Sequence, residues 1–133
     1  MKVLLDTHSW IWAEEDDASL GAATHKQLLR RETEIFVSTI STLEIAQLLF
    51  RGRLSLHVPI AEWVKRSFEN LEAESIELSN DIAAAAYSLP GALHGDPADR
   101  ILIATARLAK LTLVTADARI LAYPHVATID ARR

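Results

Sequence analysis

The feature that most limits what this chain can fold into is the alternation of short β-type runs with longer helical segments. Lys2–Leu5 is an apolar run that ends at Asp6, and it reads as a buried strand. Ile35–Thr39 reads as a second strand, Ser75–Leu78 as a third, Thr112–Thr115 as a fourth and Val126–Ile129 as a fifth. Between them the pattern predicts a helical turn at Trp10–Glu14 and an amphipathic helix over Leu20–Arg31 with Ser19 as its N-cap. A helix over Thr42–Arg51 closes at Gly52, and Pro59 opens another over Ile60–Leu71. An Ala-rich helix over Asp81–Leu89 stops at Pro90 and Gly91. Pro97–Ala109 is apolar almost all round and therefore central, and a short helix follows at Arg119–Ala122. Strands spaced by helices imply an α/β fold: a central parallel sheet of about five strands with helices on both faces. No repeat, low-complexity tract or linker interrupts the pattern, so residues 1–133 read as one domain.

Composition narrows the chemistry. The chain has no cysteine, which removes thiol catalysis, Cys-ligated zinc and iron–sulfur clusters. The longest apolar run, Ile82–Tyr87, is far short of the ~20 residues of a membrane span. The first apolar run meets an acid at position 6, which does not suit a signal peptide. A cytoplasmic protein that does not engage membranes is expected. The 14 Lys+Arg against 18 Asp+Glu give a net charge of -4, which argues against binding nucleic acid through bulk positive charge.

The acids occur where elements start and end. Asp6 follows the first strand, and Asp117 closely follows the fourth. Glu44 falls in the first turn of the helix after the second strand, and Asp96 and Asp99 open the Pro97 helix. In parallel α/β sheets ligands bind beyond the carboxyl ends of the strands. These carboxylates are expected to converge there, provided the Pro97 helix starts at that same edge. Asp6, straight off a buried strand, is hard to explain structurally, whereas the others also have a structural reading, Asp117 as the start of a turn. Ser41-x-x-Glu44 fits a capping box, and Asp96-Pro97-x-Asp99 fits a helix start with Asp as N-cap, Pro at N1 and Asp at N3. Clustered carboxylates repel unless a cation neutralises them, and oxygen ligands without Cys or His select Mg²⁺ or Mn²⁺.

The same residues resemble a known family. Asp6-Thr7-His8-Ser9-Trp10-Ile11-Trp12 resembles the N-terminal signature of PIN domains, in the subgroup of VapC-type toxins. His94-Gly95-Asp96-Pro97-Ala98-Asp99-Arg100 with Ile101–Ala106 resembles the second signature, and Leu113–Asp117 the third. The strand end from Ser38 to Glu44 fills the remaining place. The resemblance implies a Mg²⁺-dependent endoribonuclease (Mn²⁺ serving equally), the toxin of a toxin–antitoxin pair. It implies that Asp6, Glu44, Asp99 and Asp117 bind metal and carry catalysis. Asp96 is then a supporting acid, while Thr7 and Thr115 orient the acids or a metal-bound water. It also implies a PIN-like fold, an RNA substrate, a VapB-like antitoxin partner and a homodimer.

Other residues are placed with less chemistry. Arg100, beside Asp99, is the candidate for a phosphate or antitoxin contact. His8 is expected in an extended segment, where alternation turns its side chain away from the site. Trp10, Trp12, Trp63 and Phe68 read as core or interface. Two rivals remain. One is a haloacid-dehalogenase-like phosphatase with Asp6 as nucleophile, although that chemistry wants a second Asp where His8 stands. The other is a non-catalytic PIN-like binding module.

Overall fold

The computed structural model describes all 133 residues. Five parallel strands form one sheet in the order β3-β2-β1-β4-β5. In chain order the elements are β1 (Lys2–Leu5), α1 (Thr7–Glu15), α2 (Ala22–Leu28), β2 (Glu34–Ser38), α3 (Thr39–Phe50) and α4 (Ile60–Leu71). They continue with β3 (Glu74–Ile76), α5 (Asn80–Ala85), α6 (Pro97–Ala109), β4 (Thr112–Thr115), α7 (Ala118–Leu121) and β5 (Thr128–Asp130).

The two-residue period of the strands sends side chains into two separate cores. Val3, Leu5, Ile35, Val37 and Val114 pack on one face with Trp10, Ile45 and Trp63. Leu4 and Leu113 pack on the other face with Ile101–Ala104 and Ala106 of α6, and Phe36 lies against them. Burial of each large aliphatic side chain is worth about 1.5–3 kcal/mol. Trp63 and Phe68 thus serve the core, and Trp10 Nε1 donates to Ser67 Oγ at 3.1 Å.

Register fixes the functional edge. Leu5 lies opposite Val37 on one side and Val114 on the other. Asp6, Ser38 and Thr115 therefore follow in line at the carboxyl ends of the three central strands. A helix that connects parallel strands runs back from that edge, so α6, which feeds β4, starts there as well.

Several boundaries differ from the sequence expectations, each for a local reason. The Trp10 turn is part of a full helix, because Asp6 caps it directly through Ser9 N–H at 2.8 Å. Helix α2 begins only after Gly21, not after Ser19. The Ser19 amide is taken by Asp17 Oδ1 in a turn, and Gly21 N–H is tied to Ala131 O at 2.8 Å. A Cβ on Gly21 would lie 2.1 Å from the Arg133 carbonyl oxygen, so only glycine fits this crossing. Helix α3 starts at Thr39, straight off β2, with Ser38 Oγ accepting from Ile40 N–H at 3.1 Å. The capping box expected at Ser41 and Glu44 is therefore not formed: both residues already lie inside the helix. Gly52 does close α3, at φ +68°, with its amide and that of Arg53 returning to Leu49 and Leu48 carbonyls. Helix α5 ends at Ala85, short of Leu89, and β3 and β5 are each displaced by about two residues from expectation to match their neighbours' register.

Candidate metal centre

Four carboxylates from four elements line one cleft of about 390 Å³ at this edge, namely Asp6, Glu44, Asp99 and Asp117. Asp96, Thr7, His8, Arg119 and Arg132 complete its polar wall. A cleft of similar size, about 410 Å³, opens at the other end of the sheet near Glu34 and Glu74, and it gathers no comparable set of converging acids.

Two of the acids, Asp6 and Asp117, are held as the caps of the helices that follow them. Asp6 is nearly buried, and its Oδ1 caps α1. Asp117 caps α7 through Arg119 N–H at 2.8 Å, and its own amide donates to Thr115 Oγ1 at 3.1 Å. The expected orienting role of Thr115 thus has a concrete contact. Asp96 occupies the N-cap position of α6 ahead of Pro97 but makes no side-chain capping bond, and its carboxylate faces the cleft beside Asp99. Glu44, one turn into α3, accepts from the Thr7 hydroxyl, which also meets Ser41 Oγ at 3.0 Å.

The electrostatics are those of an anion-crowded, half-buried cleft. Burial pushes the Glu44 carboxyl up; the Thr7 hydrogen bond opposes this in part, and the charge of Asp96 adds to it. Burial, then the hydrogen bond and charge of Asp96, push Asp99 up to about 7, with Asp117 and Glu44 contributing further repulsion. Asp117 goes the other way. Its partial burial is outweighed by the backbone amide, side-chain hydrogen bond and charge of Arg119, which hold it below the usual range.

Arg100 does not enter the cleft. Its guanidinium donates to the carbonyls of Ala86 at 2.8 Å and of Leu93 and His94 at 3.1 Å, and it lies 4.8 Å over the Tyr87 ring. It clamps the loop before α6 and does not line the cleft. His8 is helical and lines the cleft, because Asp6 ends the extended segment one residue earlier than alternation assumes. His94, read from sequence only as part of the second signature, lies beside the acids. Its Nδ1 accepts from Asp96 N–H at 3.3 Å, which leaves Nε2 as the protonated nitrogen, 3.3 Å from Asp99 Oδ2. That contact lacks hydrogen-bond alignment, and Nε2 is the one buried side-chain polar atom without a partner.

Sequence reasoning did not single out Arg119 or Arg132. Arg119 Nη2 lies 3.4 Å from Asp117 Oδ2 and 3.7 Å from Asp99 Oδ2.

The donor set fits a hard divalent cation. It offers carboxylate oxygens without thiolate, and two of its acids are driven toward protonation by burial and mutual repulsion. No three His, Asp or Glu side chains are drawn close enough to form a ready coordination group.

A profile of the PIN domain matches residues 3–126. The chain belongs to the PIN-domain family. This PIN domain is 33% identical over 123 residues to Ribonuclease VapC22 of Mycobacterium tuberculosis, covering 92% of each chain. Its fold is similar to that of VapBC2 from Rickettsia felis bound to a promoter DNA fragment, with a TM-score of 0.68 and 18% identity over 97% of this chain and 98% of that one. It is also similar to FitAcB from Neisseria gonorrhoeae, with a TM-score of 0.63 and 20% identity over 98% of each chain. A toxin–antitoxin complex from Klebsiella pneumoniae gives a TM-score of 0.61 and 22% identity, over 97% of each chain. No helix of this PIN domain is long and apolar enough to cross a membrane.

Proposed function

We propose that residues 1–133 act as a single PIN domain that hydrolyses RNA phosphodiester bonds with Mg²⁺ or Mn²⁺, as the toxin of a toxin–antitoxin pair. The observation that carries this reading is the convergence of Asp6, Glu44, Asp99 and Asp117 on one cleft, with Asp99 pushed up to about 7. The 33% identity to a VapC ribonuclease supports the substrate class.

In this proposal the four acids hold the cation, and a bound Mg²⁺ or Mn²⁺ supplies Lewis acidity toward water and the scissile phosphate. Asp6 presents Oδ2, since Oδ1 is committed to Ser9 N–H. Thr7 holds Glu44 in place, and Thr115 fixes the turn that presents Asp117. Asp96 supplies further negative charge beside Asp99. Arg119 and Arg132 are the cations on the cleft wall and are the groups placed to meet an incoming phosphate. An antitoxin of VapB type would fit the acidic cleft through a basic segment, and the same reading includes a homodimer.

The test is cleavage of a labelled single-stranded RNA pool by the purified chain with Mg²⁺, and with a chelator. Metal-dependent cleavage that disappears in Asp6→Asn supports the proposal. Full cleavage by that variant overturns the assignment of the acids. A phosphatase would instead leave phosphate on Asp6 after exposure to a small phosphate ester.

A further inference from the structure

Besides standing on the cleft wall where a phosphate would arrive, Arg119 is paired with the cleft's own carboxylates. Its guanidinium spans two acids from different elements, Asp117 at the start of α7 and Asp99 in the first turn of α6. Of the two arginines on the cleft wall, it is the one paired with the cleft's carboxylates. Yet its side chain is 62% exposed, so it reaches into the cleft from solvent and is not packed there. Helix α7 is a single turn, too short to supply a dipole that would hold the guanidinium. What holds the guanidinium is the pair of carboxylates alone.

We propose that Arg119 is a built-in counter-cation, holding the place between Asp99 and Asp117 that a divalent ion would take and competing with that ion for the same oxygens. This rests on the metal-site reading above. The competition favours the metal only above a threshold concentration. The guanidinium carries one charge on a long flexible arm, and an exposed pair of this kind is weak. A divalent ion carries twice the charge and loses no side-chain freedom when it binds. The arm is long and exposed enough to swing outward without disturbing the core. Arg119 therefore keeps the empty cleft from repelling itself apart and lowers its affinity for metal. Removing the charge leaves Asp99 and Asp117 unpaired and better able to take an ion.

Calorimetric titration of Mn²⁺ alone into the wild-type chain, R119Q and R119K at neutral pH and low salt tests this. R119Q is expected to bind Mn²⁺ about 3- to 10-fold more tightly than wild type, from the loss of one competing charge at short range. R119K keeps the charge and is expected to stay near wild type. Because charges at an exposed site are screened, the gap between R119Q and wild type should narrow as salt rises. Equal or weaker Mn²⁺ binding by R119Q overturns the role of Arg119 while leaving the metal site standing. Absence of Mn²⁺ binding in all three proteins overturns the metal-site reading and this inference with it. Circular dichroism of each variant confirms that the comparison is between folded proteins.

Discussion

The Thr7 hydroxyl donates a hydrogen bond to the Glu44 carboxylate, linking the first turn of α1 to α3 across the mouth of the cleft. Thr7 carries one proton, so when it donates to Glu44 the Ser41 hydroxyl at 3.0 Å is the donor in the second contact. The chain Ser41, Thr7, Glu44 keeps a half-buried carboxylate pointed into the cleft and favours its ionised form against burial.

Thr7→Val removes that donor and leaves the side-chain shape almost unchanged. The Glu44 carboxyl then moves further up, since the Thr7 hydrogen bond is the leading opposing influence. The acid limb of the pH–rate profile for RNA cleavage should shift to higher pH, and the loss of rate should be largest on the acid side. Thr7→Ser should restore the wild-type profile. Identical profiles for Thr7→Val and wild type would show that the hydroxyl does not act on Glu44.

Asp99→Asn should stabilise the metal-free protein at alkaline pH. Asp99 is raised to about 7 in the folded state, against about 3.9 for an ordinary aspartate. Between those values the folded protein holds a proton that the unfolded chain has released. Stability therefore falls as pH rises through this window, and the full penalty, at most about 4 kcal/mol, stands above pH 7. Thermal unfolding in chelator should show a higher Tm at pH 8 for Asp99→Asn, with no such gain at pH 4. The same variant should lose the stabilisation that Mn²⁺ gives wild type, which is about 2.7 kcal/mol at a hundred times Kd. A lower Tm for Asp99→Asn at pH 8 would contradict this account.

Arg100 and Arg119 should separate cleanly. Arg100 satisfies three carbonyls ahead of α6, and charged hydrogen bonds of this kind are worth about 1.5–3 kcal/mol. Arg100→Met should lower stability by about 2–4 kcal/mol in urea unfolding. R119Q, at an exposed site, should leave metal-free stability close to that of wild type. Equal stability losses in the two would show that the roles are not divided in this way.

Much of the fold was legible because it rests on periodicity. Lys2–Leu5 and Pro97–Ala109 stand where their patterns place them, since a buried strand and an all-round apolar helix leave few alternatives. Helix starts were harder. Ser19 and Ser41 both look like caps, but the first loses its turn to Asp17, and the second lies within a helix that begins at the end of β2. Asp6, read from sequence as hard to explain structurally, proves to be a capping residue as well as a cleft residue. The carboxylates were legible because strand ends and helix starts share one edge of a parallel sheet. The arginines were not, because a long side chain is not placed by its neighbours in sequence: Arg100 folds back onto three carbonyls, while Arg119 reaches across to another helix.

The central claim is that four acids act together on bound divalent metal to cleave RNA. It is tested most directly by measuring single-turnover cleavage of a labelled RNA pool with Mg²⁺ for wild type, Asp6→Asn, Glu44→Gln, Asp99→Asn and Asp117→Asn. The account predicts a loss of at least about 100-fold in each variant, with circular dichroism unchanged, and a similar loss for wild type in chelator. Cleavage at the wild-type rate by any of the four variants, or by wild type without divalent metal, would contradict it.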